Sequence, residues 1–162
     1  MSNPFQSPNS DELKARDRIA ALMARYGDGT DGSSPTAAQW SRLFEGDASR
    51  PVTVINFFAL RAVAHYEGEK GAPESPGSGG EAMMRYAAVS GPALEKVGGR
   101  FLLTAPYEAS LMGEEERWDL VAIGSYPSHD ALLALFEDED YAAAFCHRRA
   151  ATERQRVVMV TG

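Results

Sequence analysis

Three histidines and one cysteine are the side chains of this sequence best suited to binding a metal or transferring a proton. His65, His129 and His147 are widely separated and form neither of the short spacings, His-x-His or His-Glu-x-x-His, that zinc sites use. Cys146 precedes His147, but neighbours on a helix point about 100° apart and cannot form a nucleophile and its base. We therefore expect no metal site, and Cys146 should be a small buried residue.

Five other features of the chain suggest a pocket for a small molecule. Asn56 is an amide within an apolar strand, so it needs a hydrogen-bond partner when buried, either the backbone or a ligand. Tyr86 lies near the start of a predicted helix, where its hydroxyl could reach the mouth of the sheet. Trp118 is either a pocket wall or an anchor at a strand edge. The other two candidates are His147 and Arg148. No glycine-rich phosphate-binding motif is present, and we expect no cofactor.

His147 and Arg148 lie in the predicted helix "EDYAAAFCHRRAA". His147 falls in a surface of alanines, which permit close approach, so its imidazole should point towards the core or a pocket. One hypothesis is that His147, Asn56 and Tyr86 form the polar end of a mostly apolar pocket for a small carbonyl or carboxylate compound. The alternative is a core imidazole bonded to a backbone carbonyl.

Arg148 is predicted to lie between that alanine surface and the bulky stripe of the same helix, which begins at Tyr141. Its flat guanidinium suits a carboxylate, because two parallel N–H groups match two oxygens. The carboxylate could belong to a ligand. It could also belong to the protein, and Asp119 and Glu153 are the acids we consider for a salt bridge.

The composition excludes several classes of protein. A chain of 162 residues with 44% hydrophobic residues can bury one ordinary core. The net charge of −7 and the absence of a basic cluster exclude a nucleic-acid partner. The first residues lack the features of a secretory signal, and no apolar run is long enough for a membrane span. With a single cysteine, the sequence predicts a cytoplasmic protein without disulfides.

Residues 1–50 are predicted to form a helical extension. Residues 11–26 carry an apolar stripe at helical spacing, with Ser10 as the expected cap and Gly27 as the terminator. Thr36 and Gln39 predict a capping box for a second, short helix. These helices must dock on another surface, so they are candidates for binding a partner protein.

From residue 51 the pattern becomes that of a mixed α+β domain, residues 51–162. Strands are predicted at 51–59, 100–107, 117–126 and 154–162, and helices at 81–97, 128–136 and 139–152. The acids at 137–140 break the last helical region, with Asp138 capping its second half. In the helix at 81–97 the inward residues are predicted to be Met83, Ala87, Leu94 and Val97. The polar loop 67–80 is expected to be either a lid or disordered surface, and residues 69–80 should be the most mobile internal segment.

This order, β-α-β-β-α-β, is that of the ferredoxin-like fold. Its helices cover one face of the sheet, yet the strands are apolar on both faces. In the strand at 117–126, Val121 and Ile123 point away from Ala122 and Gly124, and all four are apolar or small. The second face must therefore be covered, by the N-terminal helices or by another copy. We favour a homodimer closed by packing of the two sheets.

Residues 52–162 resemble the DUF1330 family, a domain of unknown function in the dimeric α/β barrel superfamily. The resemblance rests on four segments, "VGGRFLL", "YPSHDALLALF", "DEDYAAAFCHRRAA" and "VVMVTG". It implies a dimeric α/β barrel and no particular reaction. Within the family, the chain more closely resembles a branch of longer proteins whose first helix starts with a Tyr-x-x-Tyr pattern. Here the helix start "MMRYAAV" departs from that pattern and keeps a single tyrosine, Tyr86.

Three functions remain open from the sequence. The first is a cofactor-independent enzyme acting on a small organic carbonyl or carboxylate compound, by analogy with the monooxygenases and isomerases that the superfamily includes. The second is a non-catalytic protein that binds a small ligand in the same pocket. The third is a structural dimer whose N-terminal helices bind a partner protein. Polar groups converging at a pocket favour the first two, and turnover separates these from each other.

Overall fold

The computed structural model describes residues 9–162, and the first eight residues of the predicted N-terminal extension lie outside this range. The chain divides into two compact units, Met1–Gly46 and Asp47–Gly162. The first unit contains helices α1 (Ser10–Tyr26) and α2 (Ala37–Ser41), and α2 is followed by the 3₁₀ turn Arg42–Phe44. Its apolar centre includes the buried rings of Tyr26 and Trp40, whose centroids are 6.1 Å apart.

Both helices of the first unit begin with a capping box. At α1 the cap is Asn9 rather than the predicted Ser10, because Asn9 lies three residues before Glu12. The Asn9 side chain accepts from the backbone N–H of Glu12, and the Glu12 carboxylate accepts from the backbone N–H of Asn9. At α2 the predicted reciprocal bonds between Thr36 and Gln39 are confirmed. Gly27, with φ of 97°, ends α1 as predicted.

The second unit is a mixed α/β structure built on a four-stranded antiparallel sheet with the order β2-β3-β1-β4. The strands are β1 (Val52–Leu60), β2 (Arg100–Pro106), β3 (Leu120–Tyr126) and β4 (Thr152–Thr161). The helices are α3 (Gly79–Lys96) between β1 and β2, and α4 (His129–Glu137) and α5 (Glu139–Ala151) between β3 and β4. The predicted β-α-β-β-α-β order of elements, with the last helical region in two parts, is confirmed.

Helices pack on one face of the sheet, the helix face, and leave Val157 and Met159 exposed at its β4 edge. On β3 the residues Ala122, Gly124 and Tyr126 are buried and alternate with less buried neighbours. Leu94 of α3 packs against Gly124, since a Cβ placed on that glycine would lie 3.4 Å from the Leu94 Cδ1. Val54 of β1 pairs with Gly124 and is buried on the same face.

The opposite face of the sheet, the open face, carries a row of apolar side chains across all four strands. Ile55 of β1 pairs with Ile123 of β3 and with Val158 of β4, and Leu103 of β2 pairs with Ile123. Leu103 is 46% exposed and Val158 is 38% exposed. The doubly apolar strands predicted from the sequence therefore leave an accessible apolar surface on this side of the sheet.

The break between α4 and α5 follows the predicted capping signals. The Ser128 hydroxyl accepts from the backbone N–H of Ala131 at 3.0 Å, and the Asp138 carboxylate accepts from that of Tyr141 at 3.0 Å. The Asp138 carboxylate also pairs with the ammonium of Lys96 at 2.6 Å, and this bond lowers the pKa of Asp138. An acid at this position also suits the positive end of α5.

Three predicted element starts are displaced by two or three residues in the structure. Helix α3 begins at Gly79 rather than at residue 81, because Ser78 forms a capping box with Glu81. Strand β3 begins at Leu120 rather than at residue 117, and β4 begins at Thr152 rather than at residue 154. Gly79 sits so close to the backbone of the preceding loop that a Cβ there would collide with the carbonyl oxygen of Arg61. The prediction that Ala87 points inward is wrong: Ala87 is exposed, and Tyr86 is buried beside it.

The loop before α3 is held by polar contacts rather than by apolar ones. The Glu69 carboxylate accepts two bonds from the guanidinium of Arg149 on α5, at 2.6 and 2.9 Å. Arg85 of α3 donates to the carbonyl oxygen of Pro76 at 2.8 Å. The prediction of high mobility rested on the lack of apolar anchors, and these charged contacts were not foreseen.

The contact between Glu69 and Arg149 makes the loop testable by proteolysis. We expect Glu69→Gln to weaken the paired bonds and to open the exposed Lys70–Gly71 peptide bond to trypsin several-fold faster. The measurement is the rate of limited trypsin cleavage followed by mass spectrometry. Glu74→Gln is the matched control, because Glu74 is exposed in the same loop. Equal cleavage rates in both variants and in the wild type would show that this ion pair does not hold the loop.

Candidate functional site

The candidate site is built around Arg148, which lies on the face of α5 that is turned towards the sheet. Its side chain is buried, with 8% exposure. Three secondary-structure elements converge on the guanidinium: β1 provides Asn56, α3 provides Tyr86 and β4 provides Gln155. Burial of an arginine is uncommon and requires partners for both its charge and its N–H groups.

The hydrogen bonds of Arg148 all end on neutral oxygens. The Nη1 atom donates to the Tyr86 hydroxyl at 3.2 Å, and the Nη2 atom donates to the Asn56 side-chain oxygen at 3.2 Å. Gln155 Oε1 accepts from both Nε and Nη2, at 3.1 and 2.9 Å. Within residues 9–162 no carboxylate lies within 4.0 Å of this guanidinium. The two acids considered from the sequence are elsewhere: Asp119 accepts from the backbone of Leu60, and Glu153 is exposed.

Aromatic rings enclose the guanidinium on its remaining sides. Its central carbon lies 4.8 Å from the ring centroid of Phe58, 5.3 Å from that of Phe145 and 5.6 Å from that of Tyr86. Such contacts stabilise a cation through the negative faces of the rings. They offset part of the desolvation cost without neutralising the charge.

Three tyrosines complete the polar part of the cluster. The hydroxyls of Tyr86 and Tyr141 are 2.6 Å apart. Burial raises the pKa of Tyr141 and of Tyr126, so both phenols are neutral at physiological pH. Burial alone lowers the pKa of Arg148, but its interactions with Tyr86 and Tyr141 outweigh this and raise it. The cluster therefore holds one buried positive charge among neutral groups.

Asn56 has a backbone partner, which is one of the two possibilities that the sequence left open, and a side-chain partner in Arg148. Its amide nitrogen donates to the backbone carbonyl of Ala122 on β3 at 3.1 Å. Its amide oxygen is the acceptor for Arg148. The backbone bond fixes the orientation of the amide, because the nitrogen is committed to the neighbouring strand. Asn56 therefore presents its oxygen to the cluster.

His147 does not join Asn56 and Tyr86, in contrast to the hypothesis drawn from the sequence. Neighbouring residues on a helix diverge by about 100°, and Arg148 takes the position facing the sheet. The Nδ1 atom of His147 lies 2.8 Å from the hydroxyl of Tyr66. His147 instead lines a groove of about 580 Å³ between α3 and α5, whose other lining residues include Ala88, Pro92 and Ala144.

The half-buried His147 predicts a pH-dependent stability. Burial and the nearby charge of Arg85 lower its pKa, so the unfolded chain binds the proton first as the pH falls below about 6.5. The stabilisation is complete above that pH and is lost as the pH falls through the folded-state pKa. We expect the free energy of unfolding to fall less between pH 7 and pH 5 in His147→Gln than in the wild type. Chemical denaturation at a series of pH values measures this difference.

The control for that experiment is His65→Gln, which removes an exposed imidazole. A change of the same size in this variant would show that the effect is not specific to the imidazole in the groove between α3 and α5. Parallel pH profiles for the wild type and His147→Gln would contradict the assignment of the effect to His147.

Trp118 lies on the other side of the sheet from Arg148. Its indole packs against Phe57 of β1, with ring centroids 5.8 Å apart, and Phe57 alternates with Asn56 and so points to the open face. The guanidinium of Arg154 stacks on the indole at 3.9 Å, and the indole N–H donates to Glu116 at 2.8 Å. Trp118 therefore forms part of the edge of the open face and not of the Arg148 cluster.

The sequence did not predict that Tyr141 and Gln155 belong to the cluster. Tyr141 and Arg148 are seven residues apart and share one face of α5, within about 20° of each other on the helical wheel. This spacing shows that Arg148 belongs to the bulky stripe, so its placement between two surfaces was wrong. Gln155 carried a weaker signal, as a polar residue at the start of an apolar strand.

Two classes of feature were not found in residues 9–162. No three histidine, cysteine or acidic side chains in this range come together as a metal site would require. None of the helices described here has the length and apolar character needed to cross a membrane.

Comparisons with known proteins agree with the fold. The model of the DUF1330 family, a domain of unknown function, matches residues 78–162, inside the range of the resemblance seen in the sequence. A protein of unknown function from Rhodopseudomonas palustris, known from a crystal structure, has 32% sequence identity to this chain. It covers 80% of this chain and 95% of its own, with a TM-score of 0.70. A structure of the methylated form of that protein is 31% identical, with coverages of 80% and 93% and a TM-score of 0.69. No curated protein matches significantly.

Proposed function

The chain belongs to the DUF1330 family, and on this basis we propose that it is a homodimeric α/β barrel protein that binds a small organic carboxylate or carbonyl compound at Arg148. The observation that carries the proposal is the buried guanidinium of Arg148, whose partners are all neutral in residues 9–162. A ligand carboxylate supplies the negative charge that this cation lacks, in the planar geometry that arginine prefers.

The proposed ligand site combines features common to small-molecule pockets. The aromatic rings of Phe58, Phe145 and Tyr86 supply apolar walls, while a few polar groups fix the orientation of a ligand. The Tyr86 hydroxyl, positioned by Arg148 and Tyr141, is suited to donate a hydrogen bond to a carbonyl oxygen. In a cofactor-independent reaction this hydroxyl would polarise the carbonyl and stabilise the negative charge that develops on it.

The open face supports a dimer of ferredoxin-like subunits. Exposed Leu103 and Val158 lie in one row with Ile55 and Ile123, and an apolar surface of this kind on a sheet needs a cover. A second copy of the same sheet is self-complementary about a two-fold axis. The antiparallel order β2-β3-β1-β4 supports the ferredoxin-like assignment. We propose an interface of at least about 1,000 Å².

The cytosol is the proposed location. The lone thiol of Cys146 is buried and free, as suits a reducing compartment. The net charge of −7 argues against nucleic-acid partners.

A thermal-shift screen tests the ligand class directly. Small organic carboxylates are compared with their primary amides, which have nearly the same shape without the charge. We expect carboxylates to raise the melting temperature and the matched amides to have little effect. Product analysis of each compound that stabilises the protein then separates an enzyme from a binding protein. If neither series stabilises the protein, its core is filled and the structural-dimer function is favoured.

A further inference from the structure

One oxygen atom of the protein occupies the position on Arg148 that a ligand carboxylate oxygen would take. Arginine binds a carboxylate well through two parallel hydrogen bonds, which the edge formed by the Nε–H group and one terminal N–H group can donate. In this protein that edge is occupied by a single neutral atom, Gln155 Oε1, at 3.1 Å from Nε and 2.9 Å from Nη2. The Tyr86 hydroxyl accepts from Nη1. The Asn56 oxygen accepts from Nη2, which donates to both Asn56 and Gln155.

We propose that Gln155 is a displaceable occupant of the ligand site, and that the ligand is a small monocarboxylate with an apolar body. The carboxylate takes the place of the Gln155 amide on the Nε and Nη2 edge of Arg148. This inference rests on the proposed function and specifies its substrate class. It also makes Gln155 a built-in competitor of the ligand.

The position of Gln155 suits displacement. Arg148 is buried, whereas Gln155 is only half-buried and lies on β4, an edge strand of the sheet. A glutamine side chain has several rotatable bonds and can swing away without moving the strand. Bonds between two ionised groups are stronger than bonds between an ion and a neutral amide. A carboxylate therefore has an energetic advantage over the glutamine oxygen.

The residues that follow Gln155 indicate the rest of the ligand. Alternate residues of a strand share a face, so Val157 and Met159 lie on the same side of β4 as Gln155. Val157 is 44% exposed and Met159 is 41% exposed. A carboxylate seated on Arg148 can extend its apolar body over these two side chains and shield them from water. We therefore exclude highly polar dicarboxylates from the proposed class.

Two substitutions at Gln155 test the proposal with benzoate as the probe and benzamide as its neutral counterpart. Gln155→Ala removes the competitor, and we expect the dissociation constant for benzoate to fall about tenfold. Gln155→Glu places a permanent carboxylate on Arg148, so benzoate binding should weaken at least about 100-fold while the melting temperature rises. Isothermal titration calorimetry measures the affinities. Benzamide should bind weakly in every variant.

Gln39→Glu is the matched control for the added charge. Gln39 is exposed in the first unit of the chain, and glutamate serves equally well in its capping box. This variant should bind benzoate as the wild type does, because its new charge is outside the Arg148 cluster.

The possible outcomes separate this inference from the proposed function. Unchanged or weaker benzoate binding in Gln155→Ala, together with loss of binding in Arg148→Met, overturns displacement and leaves the Arg148 site in place. Equal binding in the wild type and Arg148→Met overturns both. Absence of benzoate binding at about 10 mM in both the wild type and Gln155→Ala also overturns the proposed ligand class.

Discussion

We expect Arg148→Met to abolish the proposed binding of carboxylates, with a loss of affinity of at least about 100-fold. Methionine keeps an unbranched side chain of similar reach but removes the charge and all the N–H donors. The remaining oxygens of Tyr86, Asn56 and Gln155 lose a shared donor, so we expect the free energy of unfolding to fall by about 2 kcal/mol. Calorimetric titration and chemical denaturation measure the two effects.

Arg149→Met provides the matched control for this prediction. Arg149 is the next residue of α5; its guanidinium pairs with Glu69 in the loop and lies 5.4 Å from the ring centroid of Phe145. The control variant should bind carboxylates as the wild type does, although its loop contact is lost. If Arg148→Met folds and still binds carboxylates with wild-type affinity, the cation is structural and the proposed site is wrong.

We expect Ile123→Asp to convert the proposed dimer into a monomer. Ile123 lies at the centre of the apolar row on the open face, between Ile55 and Leu103. Two-fold symmetry places an aspartate from each protomer in the interface, where neither has a partner. Burial of unpaired charges costs several kcal/mol, so association should weaken at least about 1,000-fold. Light scattering coupled to size-exclusion chromatography measures the mass, which should fall from twice the chain mass of 17.5 kDa to that mass.

The control for the dimer prediction introduces the same charge on another surface. Met84 is an exposed residue of α3, and Met84→Asp should leave both the fold and the dimer intact. Circular dichroism distinguishes dissociation of a folded chain from unfolding. A wild-type monomer at micromolar concentration, or an Ile123→Asp variant that remains dimeric, contradicts packing through the open face.

Local signals account for the parts of the fold that could be predicted from the sequence. The side chains of Ser128, Asp138 and Thr36 each accept a hydrogen bond from the backbone N–H three residues ahead in the sequence. These helix starts therefore depend only on neighbouring residues. The alternation along β3 likewise determines which residues share a face. These features are properties of short segments and do not need the tertiary structure.

The assembly of the candidate site depends on contacts between distant segments. Arg148 meets Tyr86, 62 residues away, and Asn56, 92 residues away, and neither distance in sequence is constrained by local periodicity. The sequence did identify all three as candidates, because polar groups in apolar elements need partners. The sequence hypothesis joined Asn56 and Tyr86 to His147, whereas the packing of α5 gives that place to Arg148.

The anchoring of the loop before α3 shows the same limit. Its composition, rich in glycine, proline and glutamate, predicts mobility when each residue is considered alone. The pairing of Glu69 with Arg149 joins residues 80 positions apart. Only the tertiary structure shows that one of the loop's acids faces a helix that carries an arginine.

The most direct test of the central claim is the NMR signal of the Arg148 Nε–H group during titration with benzoate. The signal is assigned by its absence in Arg148→Met. We expect the signal to shift and saturate as benzoate is added, because the carboxylate replaces Gln155 as its acceptor. Benzamide should leave it in place. An Arg148 Nε–H signal that stays fixed while benzoate binds and moves other resonances would contradict the account.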